Sequence, residues 1–103
     1  LLHTSAAISI NENADPDVRW DMESYLNYVV PEQPAQVKLR HTIEGPDDMP
    51  AHVKSSLVGC QLSIPISHGQ LRLGVWQGIY LCEARDAAGP RSLVATWFGQ
   101  SAG

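Results

Sequence analysis

The stretch richest in chemically active side chains is residues 44–59, EGPDDMPAHVKSSLVG, which combines three carboxylates, a histidine and two adjacent serines. It is typical of a loop that leads into a short helix. Asp48 is predicted as the N-cap, Pro50 fits the first turn, and Gly59 is a natural helix end. These side chains therefore lie on and around one helix N-terminus, where acid–base and phosphate chemistry is possible.

On this short helix Val53 and Leu57 are predicted to form an apolar stripe, and the neighbouring polar face is predicted to bind phosphate. His52, Ser55 and Ser56 are separated by helical steps, so they share one face near the N-terminus. Unpaired backbone N–H groups and the positive end of the helix dipole attract anions at that position. With the carboxylates at the helix start, this pattern suggests chemistry on a phosphorylated molecule, with or without a metal. The alternative is a capped surface helix whose polar face is only solvated.

The other candidate metal ligands are dispersed along the chain. His3, His41 and His52 fall on a strand, a loop and a helix, without the close spacing of a zinc motif such as HExxH. Oxygen ligands for a hard cation such as magnesium are offered by Glu12, Glu44, Asp47 and Asp48. The sequence contains neither a Gly-rich phosphate loop nor a GxSxG nucleophile elbow. A metal site is therefore possible, but its ligands and metal stay open at this point.

Length and composition indicate one small domain, residues 1–103, with 44% hydrophobic and 17% charged residues. A chain of this length buries a modest core alone, so oligomerisation is expected to add burial. The net charge of -4 without a basic stripe argues against a nucleic-acid partner, and no run approaches the roughly 20 apolar residues of a membrane span. Cys60 and Cys82 lack metal or redox spacing and are predicted to be reduced, which points to the cytoplasm.

The first half of the chain predicts a strand followed by a helix. Residues 1–10 carry short apolar and β-branched side chains without a breaker, so the strand continues toward Glu12. Asp15 and Pro16 open a helix that Pro31 ends. Its apolar face, expected to pack in the core, consists of Val18, Met22, Tyr25, Leu26 and Val29.

The second half predicts a meander of three strands. Residues 60–66, 71–81 and 92–98 contain alternating apolar positions, with a hairpin turn over residues 67–70. Gly78 marks a bulge or a close backbone approach. The element order, with one longer and one short helix, predicts an α+β fold.

Three blocks of this sequence resemble the signature blocks of the YjbQ family, which is linked to a secondary thiamine-phosphate synthase activity. They are HTSAAISINENADPDVRWDME, EGPDDMPAHVKSSLVG and GVWQGIYLCEARD, and the resemblance spans nearly the whole chain. It implies a small α+β domain with a mixed, largely antiparallel sheet, barrel-like or sandwiched, in a homotrimer. Family members carry a further segment before the first block, so the domain is expected to be incomplete at its N-terminus. The position of Val75 is commonly threonine in the family.

The resemblance also implies a polar site near a subunit boundary, to which all three blocks contribute. The substrate- or phosphate-binding candidates are Asn11, Glu12, Asn13, Ser55, Ser56, Trp76 and Gln77. The metal candidates are His3, His41, His52 and Glu44, for a divalent ion such as magnesium or zinc. Glu83 belongs to the same site, and the catalytic candidates are Asp48, His52 and Arg85.

The implied activity is a cytoplasmic transferase that joins a pyrimidine diphosphate to a thiazole phosphate and expels diphosphate. In this hypothesis Arg85 clamps phosphate, His52 donates a proton to the leaving group and Asp48 holds the metal. The physiological substrate stays open. The alternatives are a non-catalytic homotrimer that binds a metal or an anion, and a metal-assisted hydrolase that uses the same histidines around zinc.

Overall fold

The computed structural model describes residues 1–101, and over that range two helices combine with two small antiparallel sheets. In chain order the elements are β1 (Ala6–Glu12), α1 (Pro16–Val29), α2 (Asp48–Val58), β2 (Ile66–Ser67), β3 (Gln70–Leu71) and β4 (Gln77–Glu83). β1 pairs with β4, so that Ala6 lies opposite Glu83 and Glu12 lies opposite Gln77. The predicted α+β fold is confirmed.

Helix α1 begins where the sequence predicts. The Asp15 carboxylate accepts a hydrogen bond from the backbone N–H of Asp17 at 2.9 Å, and Pro16 occupies the first helical position. The predicted core role of its apolar face is wrong within this chain, because no residue of α1 is buried and Tyr25 is 71% exposed. A cavity of about 570 Å³ lies between this helix and the β1–β4 pair. The described residues therefore leave the face largely uncovered.

Helix α2 differs from the prediction at its start and on its buried face. Its N-cap is Asp47, whose side chain does not cap, and Asp48 is already the first helical residue. Gly59 follows the last turn with φ 107°, as predicted. The predicted apolar stripe of Val53 and Leu57 is exposed. Instead, the smaller side chains of Ala51 and Ser55 are buried on the side of the helix that packs against β1.

The strand order of the second half is not the predicted meander. β2 and β3 form the predicted hairpin, with positive φ at His68 and Gly69. β4, however, pairs with the distant β1, and the described residues carry no strand over 60–65 or 92–98. At Gly78 a Cβ atom would lie 2.6 Å from the Cβ of Asn13, so the approach is by a side chain and not by another backbone, and the β1–β4 register contains no bulge there.

The buried apolar residues are few and small, namely Ala6, Ala7, Val30 and Ala51. Apart from Val30, which follows α1, they lie where α2 meets β1. None of the described helices has the length and apolar character needed to cross a membrane.

Candidate metal centre

Four potential metal ligands converge beside the start of α2. His41 and Glu44 come from the loop between the helices, whereas Asp48 and His52 lie one turn apart in α2. Each offers one ligand atom, and these four atoms lie within 4.8 Å of one another. The donors are two imidazole nitrogens and two carboxylate oxygens, a combination that can enclose a divalent cation.

Asp48 lies at the middle of this cluster, and its side chain is only 4% exposed. Its Oδ2 atom lies 2.7 Å from Nε2 of His41 and 3.0 Å from Nε2 of His52, and its Oδ1 atom lies 3.4 Å from Nη1 of Arg85. Burial by itself would raise the pKa of Asp48, but the hydrogen bond to His41 and the charges of His52 and Arg85 contribute to a net lowering. The carboxylate is therefore ionised at neutral pH, as a metal ligand must be.

A backbone carbonyl orients His52. Its Nδ1 atom lies 2.7 Å from the carbonyl oxygen of Thr4, and because a carbonyl only accepts, Nδ1 carries the proton and donates. Nε2 then faces Asp48. Metal-binding histidines are commonly held in this way, with the second ring nitrogen bonded to a carbonyl or carboxylate.

His41 lies on the solvent side of the cluster, with its side chain 43% exposed. Its Nε2 atom also lies 3.3 Å from Oε2 of Glu44, and its ring centre is 5.5 Å from that of His52. The hydrogen bond to Asp48, followed by the one to Glu44, raises the pKa of His41. A cation among these ligands would take the position of the imidazole protons and remain accessible from the solvent side.

Arg85 ties the end of β4 to the start of α2. Its Nη2 atom donates to the carbonyl oxygen of Glu44 at 2.7 Å and to Oδ1 of Asp47 at 3.2 Å. Oδ2 of Asp47 also accepts a hydrogen bond from the backbone N–H of Asp86. The hydrogen bond from Asp86, followed by the one from Arg85, lowers the pKa of Asp47. Within the described chain the Nε atom of Arg85 is buried without a hydrogen-bond partner. Nη2 is thus bonded to two protein acceptors and Nη1 lies 3.4 Å from a third, on Asp48, whereas Nε is not bonded.

Residues 1–100 match the family model described as UPF0047 protein YjbQ-like. The chain belongs to the YjbQ family. It is 50% identical over 100 residues to the UPF0047 protein YjbQ of Salmonella typhimurium, and the aligned region covers 97% of this chain and 70% of that protein. It is 47% identical over 81 residues to YugU of Bacillus subtilis, covering 79% of this chain and 58% of that protein.

Two solved structures have the same fold. A yjbq/upf0047 family protein from Clostridium acetobutylicum superposes with a TM-score of 0.70 at 46% identity, covering 87% of this chain and 63% of that one. The conserved hypothetical protein TT1486 from Thermus thermophilus gives 0.71 at 36% identity, covering 87% and 65%. This chain therefore spans less than two thirds of either structure's length.

Three of the predicted site residues of this YjbQ-family protein that lie outside the four-ligand cluster are His3, Ser55 and Ser56. His3 is not among the clustered ligands. Its Nδ1 atom accepts a hydrogen bond from the backbone N–H of Ser5 at 3.1 Å and lies 3.1 Å from Oγ of the same residue. The hydroxyl of Ser55 is buried and donates to the carbonyl oxygen of Ala6 at 2.6 Å. Ser56, by contrast, is exposed. The predicted shared face of His52, Ser55 and Ser56 is therefore divided between β1 and solvent.

The helix end itself offers an anion few donors. Pro50 has no N–H, and the N–H of Asp48 donates to the carbonyl oxygen of Gly45 at 3.4 Å. The buried carboxylate of Asp48 adds negative charge in the first turn. The geometry at the start of α2 is accordingly better suited to a cation than to a phosphate.

A second group of predicted residues lies at the opposite end of the β1–β4 ribbon: Asn11, Glu12, Asn13, Trp76 and Gln77. Glu12 pairs with Gln77 at this end, whereas Ala6 pairs with Glu83 at the end near the cluster. Since a strand rises by about 3.3 Å per residue, the two ends are separated by about 20 Å. One copy of the chain therefore does not bring these residues to the His41–His52 cluster.

The stability of the metal-free protein should depend on pH in both directions. The pKa values of Asp47 and Asp48 lie below 3.8, so their contribution is present above pH 3.8 and is lost as the pH falls through the folded-state values. The pKa of His41 lies above 6.5, so its contribution is present below pH 6.5 and is lost as the pH rises through the folded-state value. Melting temperatures in chelator should therefore be highest between these limits.

Asp48→Asn provides the control for this pH profile, because the pKa of His41 is raised chiefly by its hydrogen bond to Asp48. The substitution should flatten the alkaline side. A profile identical to that of the native protein would contradict the assignment.

Proposed function

We propose that this protein binds a divalent transition metal, with zinc as the first candidate, and acts as an enzyme on phosphorylated small molecules. The observation that supports it is the convergence of the ligand atoms of His41, Glu44, Asp48 and His52 within 4.8 Å. Two imidazoles with carboxylates suit zinc and its neighbours, whereas magnesium prefers oxygen ligands and retains several waters. Of the two metals expected from the sequence, zinc is therefore the better match.

The residues around the ligands have supporting roles in this proposal. The carbonyl of Thr4 holds His52 with Nε2 toward the metal position, and Arg85 helps to keep Asp47 and Asp48 ionised. Glu44 and His41 are partly exposed, which leaves a side open to a substrate oxygen or to water. A bound cation of this class would polarise a phosphoryl oxygen or lower the pKa of a water molecule.

The specific reaction we propose is thiamine-phosphate synthesis, which rests on the family resemblance. Arg85 would bind phosphate and Asp48 would help to hold the metal. His52 cannot serve as a metal ligand and as a proton donor through the same Nε2 atom, because Nδ1 is already bonded to Thr4. With the metal bound, the proton would have to come from another group, such as solvent or substrate.

A metal-assisted hydrolase is the second candidate. The contacts of Arg85 favour it, because the guanidinium is directed to acceptors of the protein and is less free to bind a phosphate. These acceptors are on Glu44, Asp47 and Asp48. Hydrolysis needs an open metal position and water, and requires less of a phosphate clamp than diphosphate expulsion does. The third alternative is a protein that binds the metal through the same ligands but catalyses no reaction. Activity assays distinguish it from the transferase and from the hydrolase.

Metal analysis combined with two assays tests these functions. The purified protein should contain or bind about one zinc per chain, since one cluster of ligands is proposed. Thiamine-phosphate formation that is lost in chelator and restored by zinc would support the transferase. Release of phosphate from a panel of phosphate esters would support the hydrolase, and metal binding without either activity would support the binding protein. Absence of metal binding would overturn the proposal.

We further propose that the protein assembles as a homotrimer. The apolar residues of α1 are largely exposed, and so are Trp76, Trp97 and Phe98, which a second copy could cover. The polar groups about 20 Å apart on the β1–β4 ribbon could also meet across such an interface. Light scattering at micromolar concentration should give three times the mass of one chain, and a monomer would contradict the assembly.

A further inference from the structure

Arg91 lies beyond β4, outside the residues that the sequence indicates for the site. Its side chain is only 5% exposed, which is uncommon for arginine unless it is paired. Nε donates to Oε1 of Glu83 at 2.7 Å and Nη2 donates to Oε2 at 2.6 Å, so the pair is bidentate. Nη2 also donates to the carbonyl oxygen of Ser5 at 3.2 Å. One guanidinium thus contacts two separate segments of the chain.

The first segment leads to Arg85. Oε2 of Glu83 also accepts a hydrogen bond from the backbone N–H of Arg85 at 3.1 Å. The hydrogen bond from Arg91 is the main cause that lowers the pKa of Glu83, so the carboxylate is ionised and can hold both partners. The backbone of Arg85 is therefore fixed where the chain leaves β4, and from that point its side chain reaches Asp47 and Asp48.

The second segment leads to His52. Ser5, whose carbonyl Arg91 contacts, is buried and directly follows Thr4. The carbonyl of Thr4 is the acceptor that orients the imidazole of His52. Since adjacent peptide planes are linked at one Cα atom, fixing the carbonyl of Ser5 restricts the direction of the Thr4 carbonyl.

We propose that Arg91 is a positioning residue of the metal centre, which acts through Glu83 on Arg85 and through Ser5 on His52. This inference rests on the metal site of the proposed function. In this proposal the ion pair between Arg91 and Glu83 aligns both Arg85 and His52, which come from different parts of the chain. Only the arginine of this pair is buried, since the side chain of Glu83 is 37% exposed. An ion pair of this kind is by itself weak evidence for stability, so an orienting role better explains why the guanidinium is buried.

Cobalt(II) titration of the purified protein tests this role, because the visible absorption of bound cobalt reports ligand geometry. Arg91→Lys keeps the charge but loses the planar fork. It should weaken cobalt binding by about 10-fold, the lower end of the range for a lost contact to a metal ligand, because Arg91 acts on the ligands only through Glu83 and Ser5, and it should shift the absorption maximum. Glu83→Gln should shift it in the same direction, since it interrupts the same contacts. Arg72→Lys, an exposed change, is the matched control and should behave as the native protein does.

The measurements are made well below each variant's melting temperature, so that a purely structural ion pair would leave the spectrum unchanged. A native spectrum and native affinity in Arg91→Lys would overturn the positioning role while leaving the metal site intact. If Arg91→Lys fails to fold, Glu83→Gln decides in the same way. If the native protein itself binds no cobalt, the proposed metal site is wrong and the positioning role is overturned with it.

Discussion

Asp48→Asn should abolish tight metal binding, whereas Asp47→Asn should weaken it far less, although the two carboxylates are neighbours in the chain. Asp48 contributes an oxygen to the four-ligand cluster and lies between the two imidazoles. Asp47 is directed to Arg85 and to the backbone of Asp86. Since loss of an outer contact typically costs 10- to 100-fold in metal affinity, loss of the ligand itself should cost more than about 100-fold.

The comparison of these two variants separates ligation from folding. Each substitution replaces a carboxylate that accepts hydrogen bonds with a neutral amide, so each variant should melt below the native protein in the presence of chelator. Competition with a chromogenic chelator then gives the zinc affinity of each folded variant. Equal losses of affinity in both would indicate a general disturbance at the start of α2, and an unchanged affinity in Asp48→Asn would exclude it as a ligand.

The parts of the fold that the sequence predicts correctly are local. Asp15 and Pro16 start α1 through contacts within one turn, and Gly59 ends α2 through its own φ angle. The β2–β3 hairpin likewise depends on two adjacent residues with positive φ. The pairing of β1 with β4 joins Ala6 to Glu83, and alternating apolar residues do not specify a partner so distant in sequence.

The apolar residues of α1 illustrate a second limit. Helical periodicity correctly indicates that Val18, Met22 and Leu26 share a face, but it does not indicate what covers that face. In the described chain this face borders a cavity of about 570 Å³. For α2 the error is different, since Ala51 and Ser55 are small enough to approach β1 closely, while the larger Leu57 faces solvent.

The candidate site was predictable where side chains share an element. Helical spacing relates Asp48 to His52, residue type alone makes His41 and Glu44 candidates, and the family resemblance adds Arg85. The N-cap lies one residue before the predicted one, since Asp47 and Asp48 are equally good caps by residue type. The side chain of Asp47 does not cap the helix and is bonded instead to Arg85 and to the backbone N–H of Asp86. The orienting carbonyl of Thr4 has no sequence signature, because any residue type supplies a carbonyl.

His41→Ala and His52→Ala should lose metal binding alike and differ in stability. Both rings contribute Nε2 to the ligand cluster, so each alanine variant should bind zinc more than about 100-fold more weakly than the native protein. His52 additionally donates from Nδ1 to the carbonyl of Thr4 at 2.7 Å, which ties α2 to the chain before β1. The sequence alone predicts little stability loss for His52→Ala, since a first-turn residue faces solvent, but this bond changes the expectation.

In chelator, His52→Ala should therefore melt clearly below the native protein, and His41→Ala should melt closer to it because its ring is the more exposed of the two. His68→Ala, at the tip of the β2–β3 hairpin, is the control and should match the native protein in zinc affinity, with at most a small drop in melting temperature because His68 has a positive φ and contacts Oγ of Ser67. Zinc should raise the melting temperature of the native protein and of His68→Ala but of neither cluster variant, because only a ligand that binds the folded state stabilises it. A zinc-dependent rise in His52→Ala as large as that of the native protein would remove His52 from the metal centre and leave it a purely structural link between α2 and Thr4.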